Sequence, residues 1–577
     1  MAIKSTADKV ATIVQGYTLE GPTIELGAAI VDGELRKEAP VRLPLAMMNR
    51  HGLVAGATGT GKTVTLHMIA EQLSTAGVPV FLADIKGDLS GLATAATGSE
   101  KLLARTESLG QAWAGKTFPV EFLALGGDGN GIPVRATITS FGPILLSRIM
   151  DLNETQESSL QLVFHFADKK DLELIDLKDL RAVIQFLTSA EGKDELEELG
   201  GLSKATAGVI LRELITLEAQ GMEKFFGEPE FDTAELLRTA PDGRGVVSCL
   251  ELPTLQTKPM LFSTFLMWLL ADLFEDLPEA GDLDKPKLVF FLDEAHLLFN
   301  GASKAFLDAI TTTVRLIRSK GVGIFFVTQT PKDVPADVLG QLANRVQHAL
   351  RAYTPEDAKA LRATVSTFPT SDYDLEETLT TAGIGEAVIT VLNENGAPTP
   401  VALTRLRAPE SVMGPSTDEL ISSTVAASAL LPKYGTAVDN ISAYEKIAAE
   451  GGDHTGAAPT GPAAGTAHQG GGPDRAQGGG LDPSAIDAEA RRIEEEILGR
   501  PSSRPAPAPR MPDNDNVPER RAPRPAQPKA GGGGGIGGDL AGALGGGLQS
   551  MARSLGTQLG RELLRGVFGT SSKRRRR

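Results

Sequence analysis

The sequence predicts an α/β fold, and three observations carry that prediction. Seven short apolar runs, at 52–55, 78–83, 118–124, 245–250, 288–292, 322–327 and 345–350, read as strands. Most are Val, Ile, Leu and Phe without polar alternation, as expected of parallel strands covered on both faces. The stretches between them are long enough for crossover helices.

The remaining elements follow from local signals. Residues 387–392 and 401–406 flank an Asn393-Glu394-Asn395-Gly396 turn signal and predict a hairpin. Residues 145–235 are helical in pattern and acidic, which predicts a helical insertion. From Glu450 to the end, 27 of the 64 glycines and 13 of the 35 prolines fall in 128 residues. Such a stretch buries too little apolar surface to offset its ordering entropy and predicts a disordered tail. Two islands interrupt it. Residues 484–498 read as a short helix. Leu540, Leu544, Leu548, Met551, Leu555, Leu559, Leu563 and Val567 form a helical stripe, followed by five basic residues from Lys573 to Arg577. The expected organisation is an N-terminal β segment (1–45), an α/β body (46–450) and a Gly/Pro-rich linker (451–538). An amphipathic helix with a basic tail (539–577) completes it.

Charge and composition exclude several classes. The chain has 57 basic and 73 acidic residues, net −16. The tail from Glu450 carries +4, which leaves −20 on the body. A general basic coat for nucleic acid is therefore excluded, and any such contact must be local. Cys249 is the single cysteine, so neither an internal disulfide nor a cysteine-based zinc site can form. The N-terminus lacks the apolar stretch of a signal peptide, and no run of about 18 apolar residues occurs. These features predict a cytoplasmic protein without stable membrane insertion.

The strongest chemical signal is Gly56-Ala57-Thr58-Gly59-Thr60-Gly61-Lys62-Thr63, placed between an apolar strand and the helical run that opens at Val64. Glycines let the backbone curl so that its N–H groups face phosphates, and the following helix N-terminus adds positive potential. Lys62 can neutralise β- and γ-phosphate charge, and the Thr63 hydroxyl can ligate Mg²⁺. ATP and Mg²⁺ are the expected ligands.

Four further positions lie at strand ends, where α/β folds gather ligands. Asp293 and Glu294 close the run Leu288-Val289-Phe290-Phe291-Leu292. Asp293 suits Mg²⁺, and Glu294 suits polarising an attacking water. The adjacent His296 reads either as part of that site or as a hydrogen-bonded helix start. Asp84 closes the second strand, as a nucleotide or magnesium contact or as a loop anchor. Gln329 follows the 322–327 strand, as a water-orienting sensor or as an amide capping the next turn. Arg315 and Arg318 precede that strand on a helix, as a finger reaching a neighbouring subunit or as a solvated face. Arg345 and Arg351 are weaker candidates for the same role.

Taken in order, GATGTGKT, ADIKGD, LVFFLDEAH and FFVTQTP resemble the HerA/FtsK superfamily, and within it the bacterial HerA-like helicase family. FGPILLSRIMDLNETQESSL, GRGVVSCLELPTL and FSTFLMWLLADLFEDLPE extend the resemblance over most of residues 20–450. It implies a RecA-like P-loop core, a hexameric ring and ATP hydrolysis coupled to movement along DNA. It implies a Walker A pair in Lys62 and Thr63 and a Walker B pair in Asp293 and Glu294. Gln329 becomes the glutamine sensor, and Arg315 or Arg318 a trans arginine. Only about 50 residues precede the loop, where archaeal HerA proteins carry a larger β-barrel. Two other readings stay open: a motor on another polymer or in secretion, and a nucleotide-gated scaffold. In either case the tail is a candidate contact for a protein partner.

Overall fold

A computed structural model describes residues 4–450, apart from 199, 253–258, 282, 301 and 303. The linker, the 484–498 helix, the apolar stripe and the basic end expected of the tail lie outside the described residues.

The strands β1 (Thr23–Val31), β2 (Glu34–Pro44), β3 (Gly52–Ala55), β4 (Val80–Asp84), β5 (Val120–Leu125) and β6 (Ile132–Val134) are followed by β7 (Val247–Glu251) and β8 (Leu288–Leu292). The set closes with β9 (Val322–Thr328), β10 (Asn344–His348), β11 (Glu386–Thr390) and β12 (Ala402–Leu406). They form a twelve-stranded sheet in the order β2-β1-β12-β11-β10-β3-β9-β8-β4-β7-β5-β6. From β10 to β6 every pairing is parallel, and from β10 to β2 every pairing is antiparallel.

Helices cover both faces. In chain order they are α1 (Thr6–Gly16), α2 (Lys62–Thr75) and α3 (Glu100–Leu109), then the insertion helices. Those are α4 (Ile138–Ile149), α5 (Glu154–Lys169), α6 (Leu177–Thr188), α7 (Lys193–Glu198) and α8 (Lys204–Ala219). After β7 come α9 (Pro259–Asp276), α10 (His296–Phe299) and α11 (Lys304–Ile317). Among the described residues, no helix is long and apolar enough to cross a membrane.

The central strands β8 and β9 are apolar because each feeds two cores. In β8, Leu288, Phe290 and Leu292 face the insertion side together with α9 and α11. Val289 and Phe291 face the side of α2. In β9, Ile324 and Phe326 point one way, and Phe325 and Val327 the other. A period of two delivers both sets from one continuous apolar run.

The hairpin of β11 and β12 is where its turn signal placed it. Asn393 Oδ1 accepts from the N–H groups of Asn395 and Ala397, and Gly396 takes φ +74°. The N-terminal hairpin is part of the same sheet, because β1 pairs with β12. Residues 6–16 are helical within what reads as a β segment. Ser5 and Asp8 form a capping box there, a signal present in the sequence as Ser-x-x-Asp.

Candidate functional site

Order in the sheet assembles the site. The strand β9 lies between β3, which leads into the glycine loop, and β8, which ends in the two acids. The parallel run from β10 to β6 makes the carboxyl ends of these strands share one edge. Loop and acids, 230 residues apart in sequence, thus meet at neighbouring strand ends.

The loop is tied down from below and from both sides. The Gly56 N–H donates to Thr328 O at 3.2 Å, and the Ala57 N–H to Ala349 O at 2.9 Å. Thr60 Oγ1 donates to Ala57 O, and Gly385 N donates to Thr60 O. Thr58 and Gly59 form the exposed crown. Gly61 takes φ +112°, a backbone that strongly favours glycine, and caps α2 at Lys62. Lys62 Nζ donates to Gly56 O at 2.7 Å and to Ala57 O at 3.3 Å. Burial draws its ammonium below the usual lysine range, while Glu294 and Asp293 pull the other way.

Beneath the loop sits His348, which the sequence reading missed. Its side chain is buried, and Nε2 lies 2.8 Å from Thr65 Oγ1. Thr65 Oγ1 donates onward to Gly61 O, so the ring is joined to the first turn of α2. Nδ1 has no hydrogen-bond partner. Burial lowers this histidine to about 4, with Lys62 adding to the effect, so it is neutral near pH 7. A Cβ at Gly56 would stand 2.4 Å from His348 Cβ, which is why the first loop position has to be glycine.

Across from Lys62, Asp293 and Glu294 are each 6% exposed. Asp293 Oδ1 accepts from the Glu294 N–H at 2.8 Å, and burial raises the carboxyl to about 6. Glu294 takes φ +46°, an uncommon conformation for a non-glycine residue and one that clusters at functional sites. Burial pushes its carboxyl up, but Lys86, His296 and Lys62 outweigh that and bring it below the usual glutamate range. Lys86 forms an ion pair with Glu294 Oε1. His296 Nδ1 is 3.2 Å from Glu294 Oε2, yet the two are too poorly aligned for a hydrogen bond.

The role of Asp84 is visible in its bonds. Its two oxygens accept from the N–H groups of Gly87 and Leu89, at 2.7 and 2.9 Å, and burial raises it to about 6. It anchors the turn that presents Lys86 to Glu294. Asp88, on the same turn, is raised by burial and held back by Lys86 and by the Thr63 hydroxyl. Lys86 and Asp88 stand in the motif ADIKGD, where their charges are legible but their partners are not.

Gln329 is exposed at the carboxyl end of β9, on the loop's edge of the sheet. Arg315 and Arg318 are exposed where α11 runs into the amino end of β9, the opposite edge. The fold does not bring them to this chain's own loop. Arg351 follows β10 on the loop's edge and donates to Thr380 O, whereas Arg345 donates to Thr367 Oγ1.

The residues present fit a magnesium nucleotide. Asp293 Oδ2, Glu294 Oε2 and Asp88 Oδ1 are buried acceptors without a hydrogen-bond partner, gathered around a hydroxyl, two ammonium groups and a helix N-terminus. Buried carboxylate oxygens normally have partners, and a hydrated cation beside phosphates supplies them.

A search of curated proteins finds the DNA double-strand break repair helicase HerA of Saccharolobus solfataricus, 22% identical over 374 residues. The match covers 62% of this chain and 66% of that protein, just under two thirds of its length. Among solved structures, the plasmid coupling protein TrwB with a non-hydrolysable ATP analogue matches at 15% identity and TM-score 0.45, covering 72% of this chain and 96% of that one. VirB4 of Thermoanaerobacter pseudethanolicus matches at 15% identity and TM-score 0.41, covering 67% and 97%. The model of the helicase HerA-like C-terminal family matches residues 30–497. With more than half of its length matched, the chain belongs to the HerA-like P-loop ATPase family.

Proposed function

We propose that the protein is an ATP-hydrolysing motor that assembles as a hexameric ring in the cytoplasm and moves along DNA, as a translocase or helicase. The observation that carries this reading is the glycine loop facing two buried carboxylates whose outer oxygens lack hydrogen-bond partners, at the same edge of the sheet. In this proposal Gly56 to Thr63, with Val64 behind them, cradle the phosphates, and Lys62 neutralises their charge. Thr63 and Asp293 would hold Mg²⁺, which would supply positive charge against that developing on the phosphates. Glu294 orients and polarises the attacking water, and Lys86 keeps that carboxylate in place. Gln329 senses the terminal phosphate. Arg315 or Arg318, on the far edge of the sheet, serves a neighbouring subunit rather than its own. The body at −20 repels DNA from its outer surface, so a ring whose lumen holds the contacts suits the charge better than an open face. DNA as the track is supported by the name of the curated relative.

The test is ATPase activity with and without single- and double-stranded DNA across salt, with solution mass measured alongside. The expected result is DNA-stimulated turnover by a sixfold assembly, with an affinity that falls as salt rises because phosphate contacts release counterions. Turnover indifferent to DNA would redirect the motor to another polymer. A monomer as active as the assembly would remove the trans arginine.

A further inference from the structure

On the insertion face of the sheet, across it from α2, lies a cavity of about 350 Å³ that none of the roles above uses. The end of α4, the start of α9, α10 and the first turn of α11 enclose it. Much of its lining is apolar, from Ile149, Met260, Leu297, Leu298 and Phe306. Against that lining stand two polar groups that the fold leaves unsatisfied. Thr264 is 1% exposed, and its Oγ1 has no hydrogen-bond partner. Arg148 is half-buried and, among the described residues, makes no hydrogen bond or ion pair. Burial weighs against its charge, and Glu157 and Asp308 favour that charge only through space.

The cavity also touches the helix that follows Glu294. Leu297, whose side chain lines it, donates its N–H to Glu294 O at 2.8 Å. Ala295, between them, is fixed to β9 through Val327 O at 2.9 Å. Whatever fills the cavity therefore bears on the backbone that sets Glu294.

We infer that this cavity is a regulatory site for a small organic acid, with one carboxylate paired to Arg148 and Thr264 and an apolar body about the size of a phenyl ring. Its effect on turnover rests on the reading of Glu294 as the residue that polarises water, whereas its binding does not. An unpaired guanidinium fork matches a carboxylate, which accepts from two donors at once. The buried hydroxyl is a further donor, and giving it an acceptor removes the cost of leaving it bare. The apolar walls take the body of the ligand, and the volume is that of a small-molecule pocket. A nucleic-acid strand is a poorer occupant. Asp151 lines the same cavity, and Glu157 and Asp308 stand near enough to act on Arg148, so a second phosphate would meet like charge. A single anion is matched by Arg148 alone.

The probe is para-fluorophenylacetate, with the neutral para-fluorophenylacetamide as control, titrated into the full chain and followed by fluorine NMR. The wild type is expected to bind the acid about tenfold more tightly than the amide, the scale of one hydrogen bond to a charged group. Arg148→Met should abolish that preference. Thr264→Val, which keeps the shape of the side chain, should weaken the acid about threefold, and both variants are checked by circular dichroism. Acid and amide bound alike, a preference that survives Arg148→Met, or no binding of either probe overturns the site. ATP turnover is measured on the same samples. Saturating acid should raise kcat about twofold or more with KM for ATP unmoved, because a filled cavity steadies Leu297 and with it Glu294, and Arg148→Met should not respond. An unchanged kcat overturns the regulatory role. A protein that binds the acid but hydrolyses no ATP would strike the reading of Glu294, and the regulatory role with it, since binding is read independently.

Discussion

Replacing Gly56 with alanine puts a methyl group 2.4 Å from His348 Cβ and 3.2 Å from its Cα. Ordinary contact for such an atom begins at 3.4 Å, so loop and strand must part by about 1 Å. Neither side gives way easily. His348 is fully buried and bonded to Thr65, and the loop is stitched to the same strand end by Ala57 N to Ala349 O at 2.9 Å. Overpacking of this kind costs about 1–3 kcal/mol in stability. The parted loop also turns its N–H groups away from the phosphates, and each 1.4 kcal/mol lost there is about tenfold in affinity. Gly56→Ala should therefore be less stable to urea by about 1–3 kcal/mol and bind ATP about tenfold more weakly by calorimetry. Because the clash is with Cβ, His348→Ala should not relieve it, whereas His348→Gly should. In the His348→Gly background the added cost of Gly56→Ala should fall but not vanish, because the new Cβ still stands 2.9 Å from Thr60 Oγ1 on a backbone at φ +159°. A Gly56→Ala variant with wild-type stability and affinity, or a cost unchanged by His348→Gly, would refute the close-approach argument.

Glu294→Gln keeps the shape of the side chain and loses the carboxylate, so it should bind ATP normally and turn over at least 100-fold more slowly; wild-type turnover would remove its water-polarising role. Lys86→Met should lower kcat about tenfold with little change in KM, since it frees Glu294 without touching the loop, and an equal rise in KM would point to a nucleotide contact instead. Acid should destabilise the fold through buried histidines. Burial lowers His51 to about 4, with Ile324 N donating to Nδ1 and Nε2 2.6 Å from Val314 O. The unfolded chain takes up its proton near the ordinary value of 6.5, so stability is full above that pH and is lost as pH falls from 6.5 toward 4. The loss is at most about 3 kcal/mol for this residue. His51→Phe should flatten that part of a urea-denaturation series between pH 7 and 4.5, and an unchanged slope would show that His51 does not carry it.

The sequence by itself determined the α/β class, the sheet's parallel core and the place of the glycine loop and the two acids at strand ends, because each is a local signal. A buried parallel strand must be apolar on both faces, and a phosphate loop needs its glycines and lysine in a fixed order along the chain. The capping box at Ser5 and Asp8 was equally local, and it lay within a stretch read as strand. Only the tertiary structure decided which residues stand together across large separations. Lys86 meets Glu294 across 208 positions, His348 meets Thr65 across 283, and Arg105 reaches Gly385 across 280. A lone lysine, histidine or arginine carries no mark of its partner in the sequence, because its partner is set by strand order and not by spacing. Strand order also decided which edge of the sheet each candidate occupies. Asp84 is an anchor of its own turn, and Arg315 and Arg318 lie at the amino edge of the sheet because a helix feeding a parallel strand must end where that strand begins.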